Sequence, residues 1–200
     1  MAEPHPLPTT LADRLRQDTR DLHRQAERSG VMAALLQGRL AREAYVALLR
    51  NLHAIYAALE SVLDVQPPVL RRAAALAADL DALQGPRWRE QLALAPAAAA
   101  YVQRLQQQPA PPLLAHAYVR YLGDLHGGQL LKQRVAAMLG AGGTSFYDFG
   151  ERAEVQALIG GLRQRLAAWP ATGAEADGIV AEACWAFAQH ILLFDELQPA

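Results

Sequence analysis

The stretch Tyr121-Leu122-Gly123-Asp124-Leu125-His126-Gly127-Gly128-Gln129 lies inside what otherwise reads as a long amphipathic helix. Three glycines within six residues weaken a helix by about 1 kcal/mol each relative to alanine. A chain that keeps them presents bare backbone to something flat or bulky. Asp124 places one titratable group at that bare surface. The stretch alone leaves two readings open, a ligand face and a close helix–helix contact.

Outward from this stretch, strand signals are nearly absent: Val, Ile and Thr are sparse and alternation is rare. The spacing predicts a first helix over 10–28, started at Thr10 with Asp13 as a capping-box-like acid and ended by Ser29-Gly30. A short helix over 31–36 follows. A long one over 41–65 has Leu48, Leu52, Ile55, Leu59 and Val62 at helical spacing and is closed by Pro67-Pro68. Further helices are expected over 69–83 and 96–107. The glycine-bearing helix then runs from Pro111-Pro112 to Leu139, and Ser145 to Phe149 forms a short aromatic connector. Helices over 151–169 and 175–197 complete the chain. No fixed-period repeat is present. The expectation is an all-α, single-domain globule of roughly eight helices over 10–198, preceded by a flexible segment over 1–9.

Composition narrows the function. The net charge of −1 gives no reason to expect nucleic acid or an anionic membrane as the main partner. The single cysteine, Cys184, excludes an intrachain disulfide and any cysteine-based zinc or iron–sulfur site within one chain, and fits a reducing cytoplasm. The proline-rich stretch from Met1 to Thr10 carries no apolar run of the signal-peptide kind. No apolar run long enough for a membrane span is present.

Arg16, Arg20, His23 and Glu27 are spaced four, three and four apart, so they share one stripe of the first helix beside the apolar stripe of Leu11, Leu15, Leu22 and Ala26. A neutral imidazole can bind iron through one nitrogen while the other donates to an acceptor, and Glu27 stands where it could be or orient that acceptor. The arginines could pair with carboxylates of the same ligand. A solvated face with a boundary histidine is the other reading of the segment alone.

Together the two segments resemble haem oxygenase. The family's distal-helix signature is similar to Tyr121–Gln129 at every position except His126, where a serine is usual. His23, Ala26 and Glu27 resemble its proximal helix. Asn51 to Glu60 is similar to its second-helix segment, and Ala186-Phe187 with Leu193-Phe194-Asp195-Glu196-Leu197 is similar to its last core helix. The resemblance implies haem held between a proximal helix and a kinked distal helix. It implies His23 as the axial iron ligand, and Gly123 and Gly127, assisted by Gly128, as the bend over the open coordination position. Asp124 would organise the water that supplies protons for oxygen activation, with Arg120 and Tyr56 extending that network. Arg16 and Arg20, and more loosely Arg163 and Tyr118, would meet the haem propionates, and Phe187 would pack on the haem.

The implied activity is cleavage of haem to biliverdin, carbon monoxide and ferrous iron, using O2 and electrons from a donor such as a ferredoxin or an NADPH-dependent reductase. A non-catalytic haem carrier or sensor on the same fold is the alternative, and a thiaminase-like helical enzyme is a third reading. His126, two positions after Asp124, is expected to point away from it in a structural or surface role. His53 and His190 are expected as satisfied boundary histidines, His5 and His116 carry no motif, and Cys184 is expected as a small buried hydrophobe. The oligomeric state, the electron donor and the meso carbon attacked are open at this level.

Overall fold

The computed structural model describes residues 10–90, 93–107, 112–140, 142–170 and 172–198. The segment 1–9, His5 and Pro111 lie outside them. Among the described residues the chain is all helical, with ten α-helices and short 3-10 and π turns. The central element is α10 (Ala174–Glu196), which touches α1 (Leu11–Asp18), α2 (Arg20–Glu27), α3 (Gly30–Leu36), α6 (Pro96–Gln107) and α7 (Leu113–Ala117). On the far side, α4 (Arg42–Val62) packs on α5 (Ala73–Gln84) and α6. The helices α8 (Gly123–Leu139) and α9 (Arg152–Ala167) complete the fold. No described helix is long and apolar enough to cross a membrane.

The expected first helix is two. Thr10 caps α1 by accepting a hydrogen bond from the Asp13 backbone N–H at 3.1 Å. At Thr19 the axis bends: the buried hydroxyl donates to Leu15 O at 2.7 Å, a back-bond to the preceding turn that bends helices. The backbone ladder nevertheless continues, since His23 N–H reaches Thr19 O at 2.9 Å. The bend keeps Leu11, Leu15 and Ala26 in the core while the stripe bearing His23 faces outward.

Two other boundaries differ from the sequence reading. Before α5 the chain makes a 3-10 turn, Pro68–Leu70. The Glu60 carboxylate then accepts the N–H groups of Arg72 and Ala73, satisfying donors at the start of α5. A further 3-10 turn, Pro86–Glu90, was not expected. It forms because Trp88 is buried and donates its indole N–H to Asp81 at 2.8 Å.

The glycine-bearing helix is interrupted one turn earlier than the glycines imply. Between α7 and α8 the residues Tyr118–Leu122 form a π-helical turn. Gly123 itself is ordinary helix, with φ −59° and ψ −50°. Val119, Arg120, Tyr121 and Leu122 are all buried, so this segment is enclosed on every side. Single-turn π insertions of this kind are frequent at functional sites.

Candidate active site

A two-lobed cavity opens between α1/α2 and the π turn with α8. The outer lobe has a volume of about 790 Å³ and the inner lobe about 320 Å³, sizes typical of small-molecule sites (roughly 300–1,000 Å³). His23, Glu27, Val119, Gly123, His126 and Phe187 line both. Arg16, Arg20, Tyr118 and Arg163 stand around the outer lobe. Arg120, Asp124, Gly127 and His190 face the inner lobe among apolar side chains such as Leu131 and Phe146. The cavity is therefore cationic at its mouth and apolar at its floor.

The glycines explain its shape. Among the described residues, a methyl group built on Gly123 would meet no atom beyond its own stretch of helix within 4 Å, and one on Gly127 would meet Leu131 Cδ1 at 3.9 Å. Both faces thus open onto the cavity, and any larger side chain would project into it. Gly128 does different work. It is buried, lines neither lobe, and a methyl group there would meet Tyr147 O at 3.4 Å. Its small size lets α8 lie against the 145–149 connector, whose Phe146 and Tyr147 floor the inner lobe.

The α2 wall is open. The His23 side chain is 50% exposed and meets Phe187 edge-on, with ring centroids 5.8 Å apart. Its Nδ1 lies 3.7 Å from Glu27 Oε1, near enough for charge attraction but too far for a hydrogen bond. Arg20 reaches only Asp21 at 3.8 Å, and both side chains are exposed. Tyr118 is half-buried, and burial raises its phenol pKa; its hydroxyl is 3.4 Å from Thr19 Oγ1.

The wall built by the π turn and α8 is closed, and Arg120 is its centre. Arg120 Nε donates to Tyr56 OH at 3.1 Å, Nη2 to Asp124 Oδ1 at 3.3 Å and Nη1 to His190 Nε2 at 2.9 Å. Tyr56 OH donates in turn to Asp124 Oδ2. His190 Nδ1 lies 2.7 Å from Ala186 O. A carbonyl only accepts and a guanidinium only donates, so Nδ1 carries the proton and the ring is neutral. Burial, followed by the Arg120 charge, pushes the His190 pKa well below its usual value, in agreement. Burial raises the Asp124 carboxyl even though Arg120, Tyr56 and Arg72 act to lower it. Asp124 is thus a buried, directly held carboxyl and not the bare surface group of the sequence reading.

Behind this wall lies a second network that the sequence reading missed. Tyr101 OH is 2.8 Å from His116 Nδ1, His116 Nε2 is 3.1 Å from Glu182 Oε1, and Arg104 grips Glu182 at 3.0 and 2.6 Å. Burial raises the Glu182 carboxyl, but hydrogen bonds from His116 and Arg104 outweigh it and hold the pKa at about 2. His116 is fully buried, and Tyr101 stacks edge-on against His190 at 5.0 Å. The only hint in the sequence was a histidine on a short apolar helix, which carries no partner information.

The other histidines meet expectation in part. His126 is exposed, but it lines both lobes. His190 is buried and belongs to the Arg120 network rather than to the boundary of the core. His53 is half-buried edge-on against Trp88 at 4.9 Å. Cys184 is half-buried, with its thiol pKa raised by burial.

The structure is thus an all-helical fold with a glycine-walled cavity, an exposed imidazole on one side, a buried carboxyl on the other and arginines at its mouth. The comparisons give the family. The "Heme oxygenase" family model matches residues 9–196. The chain is 38% identical to heme oxygenase 1 of Nostoc sp., over 95% of this chain and 87% of that one. It is 35% identical to heme oxygenase 1 of Homo sapiens, over 98% of this chain and 74% of the relative. Its fold matches the crystal structure of Synechocystis sp. heme oxygenase-1 in complex with heme, with TM-score 0.84, 36% identity, and 94% and 92% of the two chains covered. It also matches the heme oxygenase of Leptospira interrogans, with TM-score 0.87, 30% identity, and 94% and 99% covered. The chain belongs to the haem oxygenase family. The carrier or sensor reading finds no support in these relatives.

Proposed function

We infer that this chain is a haem-degrading oxidoreductase that opens haem to biliverdin, carbon monoxide and ferrous iron, through a domain spanning 10–198. The observation that carries this reading is the bare face of Gly123 and Gly127, with Asp124, Arg120 and Tyr56 held behind it and His23 on the facing helix. The residues fit haem. His23 Nε2 makes no hydrogen bond among the described residues, and the glycine face is filled by no protein atom. When bound, haem supplies the iron at which O2 is activated and the ring that is cleaved.

The side chains divide the remaining tasks. His23 ligates the iron through Nε2, with Glu27 drawing Nδ1 toward itself. Phe187 restrains the His23 ring and packs on the ligand. Arg16, Arg20 and Arg163 neutralise the propionates at the mouth, and Tyr118 borders them. Gly123 and Gly127 let the backbone approach the ring, and Gly128 seats the floor beneath it. Asp124 moves protons at the inner lobe, because burial raises its pKa while Tyr56 and Arg120 hold its two oxygens in place. The electrons come from a donor such as a ferredoxin or an NADPH-dependent reductase, and the setting is the cytoplasm.

The test is to add haemin, then a ferredoxin with its reductase and O2, and follow the visible spectrum. One haemin should bind and be converted to biliverdin. In His23→Ala the axial-ligand spectrum should be lost and should return on adding imidazole; an unchanged spectrum removes His23 from the role. Bound haem that survives reduction would favour a carrier, and failure to bind haemin would revive the thiaminase-like reading.

A further inference from the structure

We propose that His126 is a positioning residue for Arg163, and that the pair makes the cavity mouth read the carboxylates of its ligand. This rests on the reading of that ligand as haem. His126 Nδ1 lies 2.6 Å from Leu122 O, one turn back on the same helical segment. The carbonyl can only accept, so Nδ1 carries the proton and the imidazole turns Nε2 outward as a bare acceptor. Arg163 Nη2 from α9 points at that nitrogen at 3.4 Å. The hydrogen bonds run in one direction, from Arg163 through the ring to the carbonyl, and each group has one possible role.

The consequence lies in what is left over. A guanidinium has five N–H donors in a rigid fork, and His126 takes only one. Arg163 is an exposed side chain on an exposed helix face, and among the described residues it makes no other hydrogen bond. The imidazole parks it at the rim of the outer lobe with its remaining donors free. Arg16 and Arg20 border the same lobe from α1 and α2, and α9 packs on α1, so the mouth gathers cations from three helices. A ligand bearing two carboxylates can span them. A serine, the residue the family usually has here, ends too close to the helix to reach Arg163.

Haemin and its dimethyl ester, in which both carboxylates are capped, separate the possibilities. Each is titrated by absorbance into wild type, His126→Ala, Arg163→Met, the double variant and His126→Gln. Wild type should prefer haemin over the ester. His126→Ala and Arg163→Met should each reduce that preference by about two- to fivefold, the range of an exposed ion pair. The double variant should match Arg163→Met alone, because His126 acts through Arg163. His126→Gln, whose amide oxygen can accept from Arg163, should recover part of the preference. If wild type shows no preference, the carboxylate end of the haem reading is overturned. If wild type prefers haemin but His126→Ala does so equally, or if the two substitutions add, His126 is not the positioning residue. Equal thermal midpoints across the set exclude a folding effect, and a loss of preference that tracks a lowered midpoint overturns the proposal.

Discussion

The two walls of the cavity are built in opposite ways. The α2 wall is solvent-exposed, its side-chain ion-pair contacts at His23 and Arg20 are 3.7 Å or longer, and nothing among the described residues completes them. The wall opposite is buried, and all three nitrogens of Arg120 have partners. One side waits for a ligand to satisfy it and the other is organised before any ligand arrives. Preorganised polar groups cost no rearrangement when charge or protons move. An exposed, unsatisfied wall lets a large ligand enter and leave. On the proposed reading, binding chemistry sits on the open wall and proton chemistry on the closed one.

The comparison breaks first at Asp124. Asp124→Ala should bind haemin nearly normally and lose about 100- to 10,000-fold in biliverdin formation, the usual worth of a placed acid–base group. Asp124→Asn should fail similarly, because an amide keeps the size but cannot organise the same proton relay. Wild-type turnover in Asp124→Ala would show that the closed wall does not carry the protons.

Removing Arg120 should disturb the whole closed wall. Arg120→Met leaves Asp124, Tyr56 and His190 without their common partner, and a broken buried pair costs about 3 kcal/mol or more. Denaturant unfolding monitored by circular dichroism should show a loss of this size. His23→Ala on the open wall should barely change the midpoint. Equal losses on the two walls would erase the contrast.

The network behind the closed wall gives a pH signature. Glu182 titrates at about 2 in the folded protein, below its ordinary value of 4.5. Between these values the unfolded chain binds the extra proton, so stability rises with pH there and is lost on acidification from about 4.5 toward 2. Glu182→Gln should flatten that part of the stability–pH profile. An unchanged slope would mean that other carboxyls set the acid limit.

The smallest effects belong to the mouth. Arg16→Glu with Arg20→Glu should weaken haemin binding by up to about fivefold per residue, since exposed ion pairs contribute little and are screened by salt. The loss should shrink as ionic strength rises. A salt-independent loss would point to a change of packing instead.

Some of this architecture was legible in residue order. Helix positions follow from apolar spacing and from Gly and Pro stops, and most observed ends lie within a few residues of expectation. The stripe of Arg16, Arg20, His23 and Glu27 is visible because it obeys the period of a single helix, and all four line the cavity. The bend at Thr19 escaped because it depends on one hydroxyl turning back to Leu15. The 3-10 turn at 86–90 escaped because burial of Trp88 decides it. His126 is exposed, as expected, but its place at the cavity escaped because it depends on how α2 and α9 pack around α8.

By itself the sequence determined the helical class, the order of the elements, the glycine face and the histidine stripe, since each is a pattern among residues close in the chain. Only the tertiary structure decided that Arg120 joins Tyr56, 64 positions away, to His190, 70 positions away, and that Asp124 is held and buried. It alone brought His116 to Glu182 and Arg163 to His126. Those pairings depend on how helices pack, and the local periodicity that specifies a helix carries no information about which distant side chain will stand within 3 Å of its own.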